Sequence, residues 1–120
     1  MGVRTSLVAI DCGPQVNPER IRSQVEGACV MGISLAMLGE ISFKNGVVVQ
    51  DNFDGYQVTR MDGAPAKINV HLIPNDNYGE PLGGVGEPGM PPSAPALCNA
   101  IFAATRKRIR DLPVRDQLAS

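Results

Sequence analysis

Tryptophan is absent from this chain, and aromatic residues make up only 4% of its 120 positions. A core built from such a sequence must be aliphatic, with glycine and alanine allowing close backbone approach. Charge excess is lacking too: 11 basic residues against 12 acidic give a net charge of −1. That balance supplies no electrostatic footprint for nucleic acid or an anionic membrane, and neither is expected as a partner. The three cysteines, Cys12, Cys29 and Cys98, stand far apart with no CxxC pair. A zinc or iron–sulfur site within the chain has no support, and small buried thiols are the plainer reading. No apolar run approaches the roughly 20 residues of a membrane span. The chain reads as soluble, with cytoplasm and periplasm both open.

What is present is a globular composition, 43% hydrophobic and 19% charged, in a length that suits one domain covering residues 1–120. Thr5 to Ile10, "TSLVAI", is a β-type run. Gly13-Pro14 breaks it, and Asn17 then offers an N-cap, with Pro18 at the first helical position and Glu19 in the first turn. In the helix announced by that cap, Ile21, Val25, Ala28, Cys29, Gly32 and Ala36 fall on one stripe, widened by Val30, Ile33 and Met37, and Gly39 supplies the stop. Asn45-Gly46 between "ISF" and "VVV" predicts a hairpin. "YQVTR" and "KINVHLI" read as further strands, the second alternating Ile68, Val70 and Leu72 with polar positions. A last helix carries Leu97, Ile101 and Ala104 at helical spacing, with Arg106, Lys107, Arg108 and Arg110 at the end where its dipole favours cations. The expected fold is α+β: two helices packed on one face of a mixed β-sheet of about four strands.

Between the last strand and the last helix, ten of the twenty residues from Pro74 to Ser93 are glycine or proline. A connection that long is unusual in a compact domain and raises the odds of function. Gly83, Gly84 and Gly86 permit positive φ or close approach to a ligand, while Pro88, Pro91 and Pro92 stiffen the backbone on the way to the helix. Glu87 is the only acid from Pro81 to Ser93, and Ser93 is placed to cap the next helix. A solvated surface acid is the ordinary reading of such a glutamate. The lone histidine, His71, lies on the polar phase of a strand and reads as solvated.

Two stretches carry a resemblance. "DCGPQVNPERIRSQVEGACVMGISLAMLGEISFKNGVV" and "GGVGEPGMPPSAPALCNAIFAAT" together resemble the C-terminal part of the molybdenum-binding large subunit of the xanthine oxidase and aldehyde oxidase family, nearest the bacterial isoquinoline 1-oxidoreductase branch. The similarity runs from about Ala9 to Arg110. It implies that the chain is a fragment of a larger molybdenum-cofactor-binding domain, part of a molybdopterin-dependent oxidoreductase.

By that resemblance Glu87, in "GVGEPG", is the catalytic base: it takes the proton from a hydroxyl on molybdenum before oxygen transfer to an electron-poor carbon of an N-heterocycle or aldehyde. A general base needs fixed geometry and partial burial, which a glycine- and proline-held carboxylate beside a cofactor pocket can have. Gln24, in "QVEGA", and Gly86 are the implied contacts to a molybdopterin-type molybdenum cofactor, the Gln24 amide offering donors and an acceptor to a pterin edge. Read without the resemblance, Gln24 is an exposed helix glutamine. Gly27, in the same turn, would let the helix approach the ligand. No protein ligand to a metal is expected. The implied partners are the remainder of the large subunit, a small iron–sulfur subunit and a small-molecule substrate. One base and one amide do not enclose so large a ligand, so the chain alone is expected to be inactive. Two other readings stay open: a free-standing domain derived from this segment that self-associates as a homo-oligomer, and a structural remnant with no ligand.

Overall fold

A computed structural model describes residues 2–119. The chain runs β1 (Thr5–Ile10), α1 (Pro18–Met37), β2 (Phe43–Lys44), β3 (Val47–Val48), β4 (Lys67–Leu72) and α2 (Ser93–Thr105), and closes with a short 3₁₀ turn at Arg115–Leu118. β1 and β4 pair in parallel, from Thr5 opposite Lys67 to Ile10 opposite Leu72. The crossover between them contains α1 and the β2–β3 hairpin, as a parallel pairing requires a long connection.

α1 starts where its sequence says it should. The Asn17 side chain accepts a hydrogen bond from the Arg20 amide at 3.2 Å, with Pro18 inside the first turn. The buried residues of α1 are Ile21, Val25, Ala28, Cys29, Gly32, Ile33 and Ala36, so the expected stripe is the face that packs. One end of it meets the sheet: Cys12, Ile21, Val25 and Val70 form a buried cluster against which Val8, Ile10, Ile68, Leu72 and Val85 pack. Val25 is 0% exposed, a burial that contributes about 1.5–3 kcal/mol. Ile101, Ile109 and Val114 form a second cluster beside Met37 and Leu97. The Val114 amide donates to the Ala36 carbonyl at 2.8 Å, tying the C-terminal segment to the last turn of α1. With the core split between the two ends of one helix, the radius of gyration is 16.8 Å, against about 14 Å for a close-packed chain of this length.

Several expectations need correction. The four described strands do not share one sheet: β2 and β3 make their own antiparallel pair, Phe43 opposite Val48 and Lys44 opposite Val47. Nor do both helices lie on the sheet. α1 packs on β4, and α2 packs on α1. "YQVTR" forms no strand, because its polar groups are satisfied another way; the Thr59 amide donates to Ser34 Oγ at 2.8 Å as the segment crosses α1. α1 ends at Met37 with Leu38 as its C-cap at φ −131°, and Gly39 follows without a left-handed φ. Space there is tight, since a Cβ would stand 3.0 Å from the Tyr56 hydroxyl and 3.1 Å from Leu35 Cα. The basic run lies past α2, not in its last turn: Arg106 is the left-handed C-cap at φ 61°. Arg108 folds back over the Phe102 ring, 3.6 Å from its centroid, and donates to Asn99 Oδ1.

The hairpin conforms to expectation. Asn45 and Gly46 take φ of 52° and 78°, the pair of left-handed residues that a two-residue turn of this twist demands. Ile68, Val70 and Leu72 point inward and His71 is exposed. Cys12 and Cys29 are buried, Cys98 is half-buried, and all three are free thiols.

Candidate active site

The long connection leaves β4 in register, the Ile73 amide donating to the Ile10 carbonyl at 2.9 Å. It then curls into a polar turn. Asn75 Nδ2 and Asn77 Nδ2 each donate to one oxygen of Glu80, both at 3.0 Å, and the Glu80 amide donates to the Asn77 carbonyl. The Glu80 carboxylate is therefore occupied in holding its own loop.

After this turn the chain is pinned to the core repeatedly. The Gly83 amide donates to the Cys12 carbonyl at 2.9 Å, and a Cβ at Gly83 would stand 2.7 Å from that carbonyl oxygen. From the other side, Gly13 (φ 71°) has the Pro81 carbonyl oxygen 2.9 Å from where its Cβ would be. Val85 packs into the cluster of Cys12, Ile21, Val25 and Val70. Gly89 is buried on α1: a Cβ added to it would lie 3.1 Å from Ala28 Cβ and 3.4 Å from the Val25 carbonyl oxygen. One residue on, the Met90 carbonyl lies over Gly32, 2.6 Å from a Cβ there. The Met90 amide donates to the Glu87 carbonyl at 2.9 Å and the Ser93 amide to the Met90 carbonyl at 3.1 Å, so consecutive turns close the loop against α2.

Between the anchors at Val85 and Gly89, residues Gly86, Glu87 and Pro88 are exposed, at the rim of a shallow depression that Gly84 and Pro91 complete. Among the described residues no hydrogen bond or ion pair reaches the Glu87 carboxylate. The partial burial expected of it is not supplied by this chain; its backbone is fixed and its carboxylate is left open. Gln24 is exposed on α1, next to Val25. In the chain Gly86 and Glu87 lie three and two residues before Gly89, and Gln24 directly precedes Val25, on which Gly89 rests together with Ala28.

Two details of the loop differ from expectation. Among the described glycines the left-handed φ values fall at Gly13 and Gly46, not at Gly83, Gly84 or Gly86. Ser93 does not cap α2; it is the first helical residue, and its hydroxyl donates to the Gly89 carbonyl at 3.0 Å. Sequence reasoning overlooked Gly32, Ala28 and Gly89 as a docking seat, although "GVGEPG" ends on the glycine concerned. A more enclosed groove of about 450 Å³ lies elsewhere, between the Gly2–Leu7 stretch and α2. Arg4 is its sole charged lining residue among those described, and Thr5, Ser6 and Ser93 are the hydroxyl side chains of an otherwise apolar lining. Among the described residues no group of three or more His, Cys, Asp or Glu side chains is placed to hold a metal ion, and no helix is long and apolar enough to cross a membrane.

Comparison with known proteins places this geometry. Residues 1–65 match the molybdopterin cofactor-binding domain family. A nicotinate dehydrogenase chain of Pseudomonas putida is 35% identical over 114 residues, which cover 95% of this chain and 9% of that protein. The beta chain of isoquinoline 1-oxidoreductase from Brevundimonas diminuta is 33% identical, covering 92% of this chain and 14% of its own length. The aldehyde oxidoreductase molybdenum-binding subunit PaoC of Escherichia coli is 34% identical, covering 93% and 16%. The chain thus spans between 9% and 16% of these relatives. Its fold is similar to that of part of quinoline 2-oxidoreductase from Pseudomonas putida 86, with a TM-score of 0.77 at 22% identity over 91% of this chain and 14% of that one. Reconstituted CO dehydrogenase from Oligotropha carboxidovorans gives 0.72 at 25% identity, over 89% and 14%. The chain belongs to the molybdopterin cofactor-binding domain family, among the molybdenum-binding large subunits of the xanthine oxidase and aldehyde oxidase group.

Proposed function

We propose that this chain provides the base-bearing segment of a molybdenum hydroxylase, with Glu87 as the base and Gln24 and Gly86 beside the cofactor. The observation that carries the reading is the unpartnered Glu87 carboxylate on a backbone anchored on both sides. The residues around it fit a large flat ligand: a Cβ at Gly27, Gly84 or Gly86 would meet nothing within 4 Å, and none of these glycines has a left-handed φ. Their lack of a side chain serves no crowding or turn inside the chain, and it leaves room for a flat ligand to approach the loop backbone and the Gln24 amide.

When bound, the molybdenum cofactor supplies the oxidation by which a water-derived oxygen reaches an electron-poor carbon of an N-heteroaromatic ring or an aldehyde. Glu87 accepts the proton of that water-derived nucleophile at a carboxylate oxygen. Gln24 donates to and accepts from the cofactor edge, holding it against the Gly86 backbone. The remainder of the large subunit encloses the ligand and excludes water, and an iron–sulfur partner subunit carries the electrons away. By itself the chain is inactive, because the surface around Glu87 is open.

The test is Glu87→Gln in the complete enzyme. Molybdenum content stays at the parent level while turnover falls about 10²–10⁴-fold, the usual contribution of a general base. Near-normal turnover removes the assignment. A second reading, self-association of the chain as a binding domain, draws on the large apolar side chains left in solvent, among them Phe53 and Met61 at 92% exposure.

A further inference from the structure

We propose that α1 sets the position of the base: Gly89 and the Met90 carbonyl, seated on Ala28 and Gly32, register Glu87 against Gln24 on the same helix, so that Gly89, Ala28 and Gly32 are positioning residues. The inference rests on the reading of Glu87 as a base. Its argument starts from what Glu87 lacks. With no hydrogen bond or ion pair on its carboxylate among the described residues, the group can be placed only through its backbone. That backbone is the first residue of a turn whose closing bond runs from the Met90 amide to the Glu87 carbonyl at 2.9 Å. The far end of the turn is the part in contact with α1, and the contact leaves no slack. A Cβ at Gly89 would come within 3.1 Å of Ala28 Cβ, and one at Gly32 within 2.6 Å of the Met90 carbonyl oxygen. Carbon atoms in ordinary contact stay about 3.5–4.0 Å apart.

Gln24 belongs to the same rigid body. It adjoins Val25, whose carbonyl and side chain form the other wall of the Gly89 seat, 3.4 and 3.5 Å from the added Cβ. Displacing the loop from this seat moves the base relative to the amide that would hold the cofactor, without removing either group. A methyl at Gly89 requires such a displacement, by a few tenths of an ångström. Misplacement on that scale costs on the order of tenfold in rate, since about 1 Å can cost a hundredfold.

The experiment uses the complete, cofactor-loaded enzyme and compares Gly89→Ala, Ala28→Gly, the double variant and Glu87→Gln. Readouts are kcat and KM separately, molybdenum content, and amide exchange of the peptide spanning residues 84–92. Gly89→Ala is expected to lower kcat about tenfold, with KM and molybdenum content within about twofold of the parent, and to speed exchange at the Met90 amide. The double variant moves the methyl across the contact and recovers most of both losses. If Gly89→Ala keeps its kcat while Glu87→Gln loses turnover, the positioning role is overturned and the base assignment stands. A Gly89→Ala loss that Ala28→Gly fails to relieve likewise overturns it. Full turnover in Glu87→Gln removes the base and this inference with it. Should Gly89→Ala not assemble, Ala28→Val presses on the same seat from the helix side, and an unchanged kcat in that variant is decisive against the proposal.

Discussion

Replacing Gly32 by alanine sets two effects of known sign against each other. In a helix interior the exchange of glycine for alanine stabilises by about 1 kcal/mol, through backbone entropy. At Gly32 the new methyl also meets the Met90 carbonyl oxygen at 2.6 Å and Ser93 Cβ at 2.7 Å. Neither atom is the end of a flexible side chain, so the loop or the start of α2 must shift, and overpacking of this kind costs about 1–3 kcal/mol. Gly27 offers the internal control, being in the same helix with nothing within 4 Å of an added Cβ. Gly27→Ala keeps the propensity gain and has no clash. The difference between the two variants therefore isolates the packing cost, about 1–3 kcal/mol in favour of Gly27→Ala. In urea, with a slope of about 2 kcal/mol/M, the two midpoints separate by roughly 1 M at unchanged slope. Gly32→Ala with a midpoint raised as far as that of Gly27→Ala would refute the close seat of the loop on α1, and with it the reason for Glu87 having a fixed place.

Two further outcomes bear on the fold. Ile101 is 1% exposed and packs with Ile109 and Val114, so Ile101→Ala is expected to cost about 2–5 kcal/mol, seen by calorimetry as a lowered transition; a change under about 0.5 kcal/mol contradicts the second core cluster. The exposed apolar side chains, among them Phe53, Met61 and Leu7, predict concentration-dependent self-association of the isolated chain in sedimentation velocity, and a monomer at every concentration removes the second reading of its function.

The parts legible in the sequence are those set by neighbours in the chain. α1 is readable from Asn17 to Ala36 because capping and a 3.6-residue stripe are local properties, and the structure buries that stripe. The Asn45-Gly46 turn is readable because few residue pairs adopt two left-handed conformations in a row. "YQVTR" misleads for the converse reason. Its β-branched and aromatic residues suit a strand, but a strand needs a partner, and the Thr59 amide found Ser34 on α1 instead. Ser93 has the chemistry of a cap, yet the Gly89 carbonyl lies within reach and takes its hydroxyl. For the site, the sequence points to Glu87, Gly86 and Gln24 through a resemblance, and it could not show that Glu80 is the acid held in a local hydrogen-bond network while the Glu87 carboxylate stays open.

The two helices, the hairpin, the aliphatic core and the family of this chain follow from its residues alone, because capping, periodicity and motif spacing are properties of short stretches. Which strands pair, how the core divides between the two ends of α1, and where the glycine- and proline-rich loop comes to rest were decided by contacts between residues far apart in the chain, such as Gly89 on Ala28 and Gly83 on Cys12. Such contacts depend on the fit of surfaces that exist only after the helix and sheet have formed, and a linear pattern holds no record of that fit.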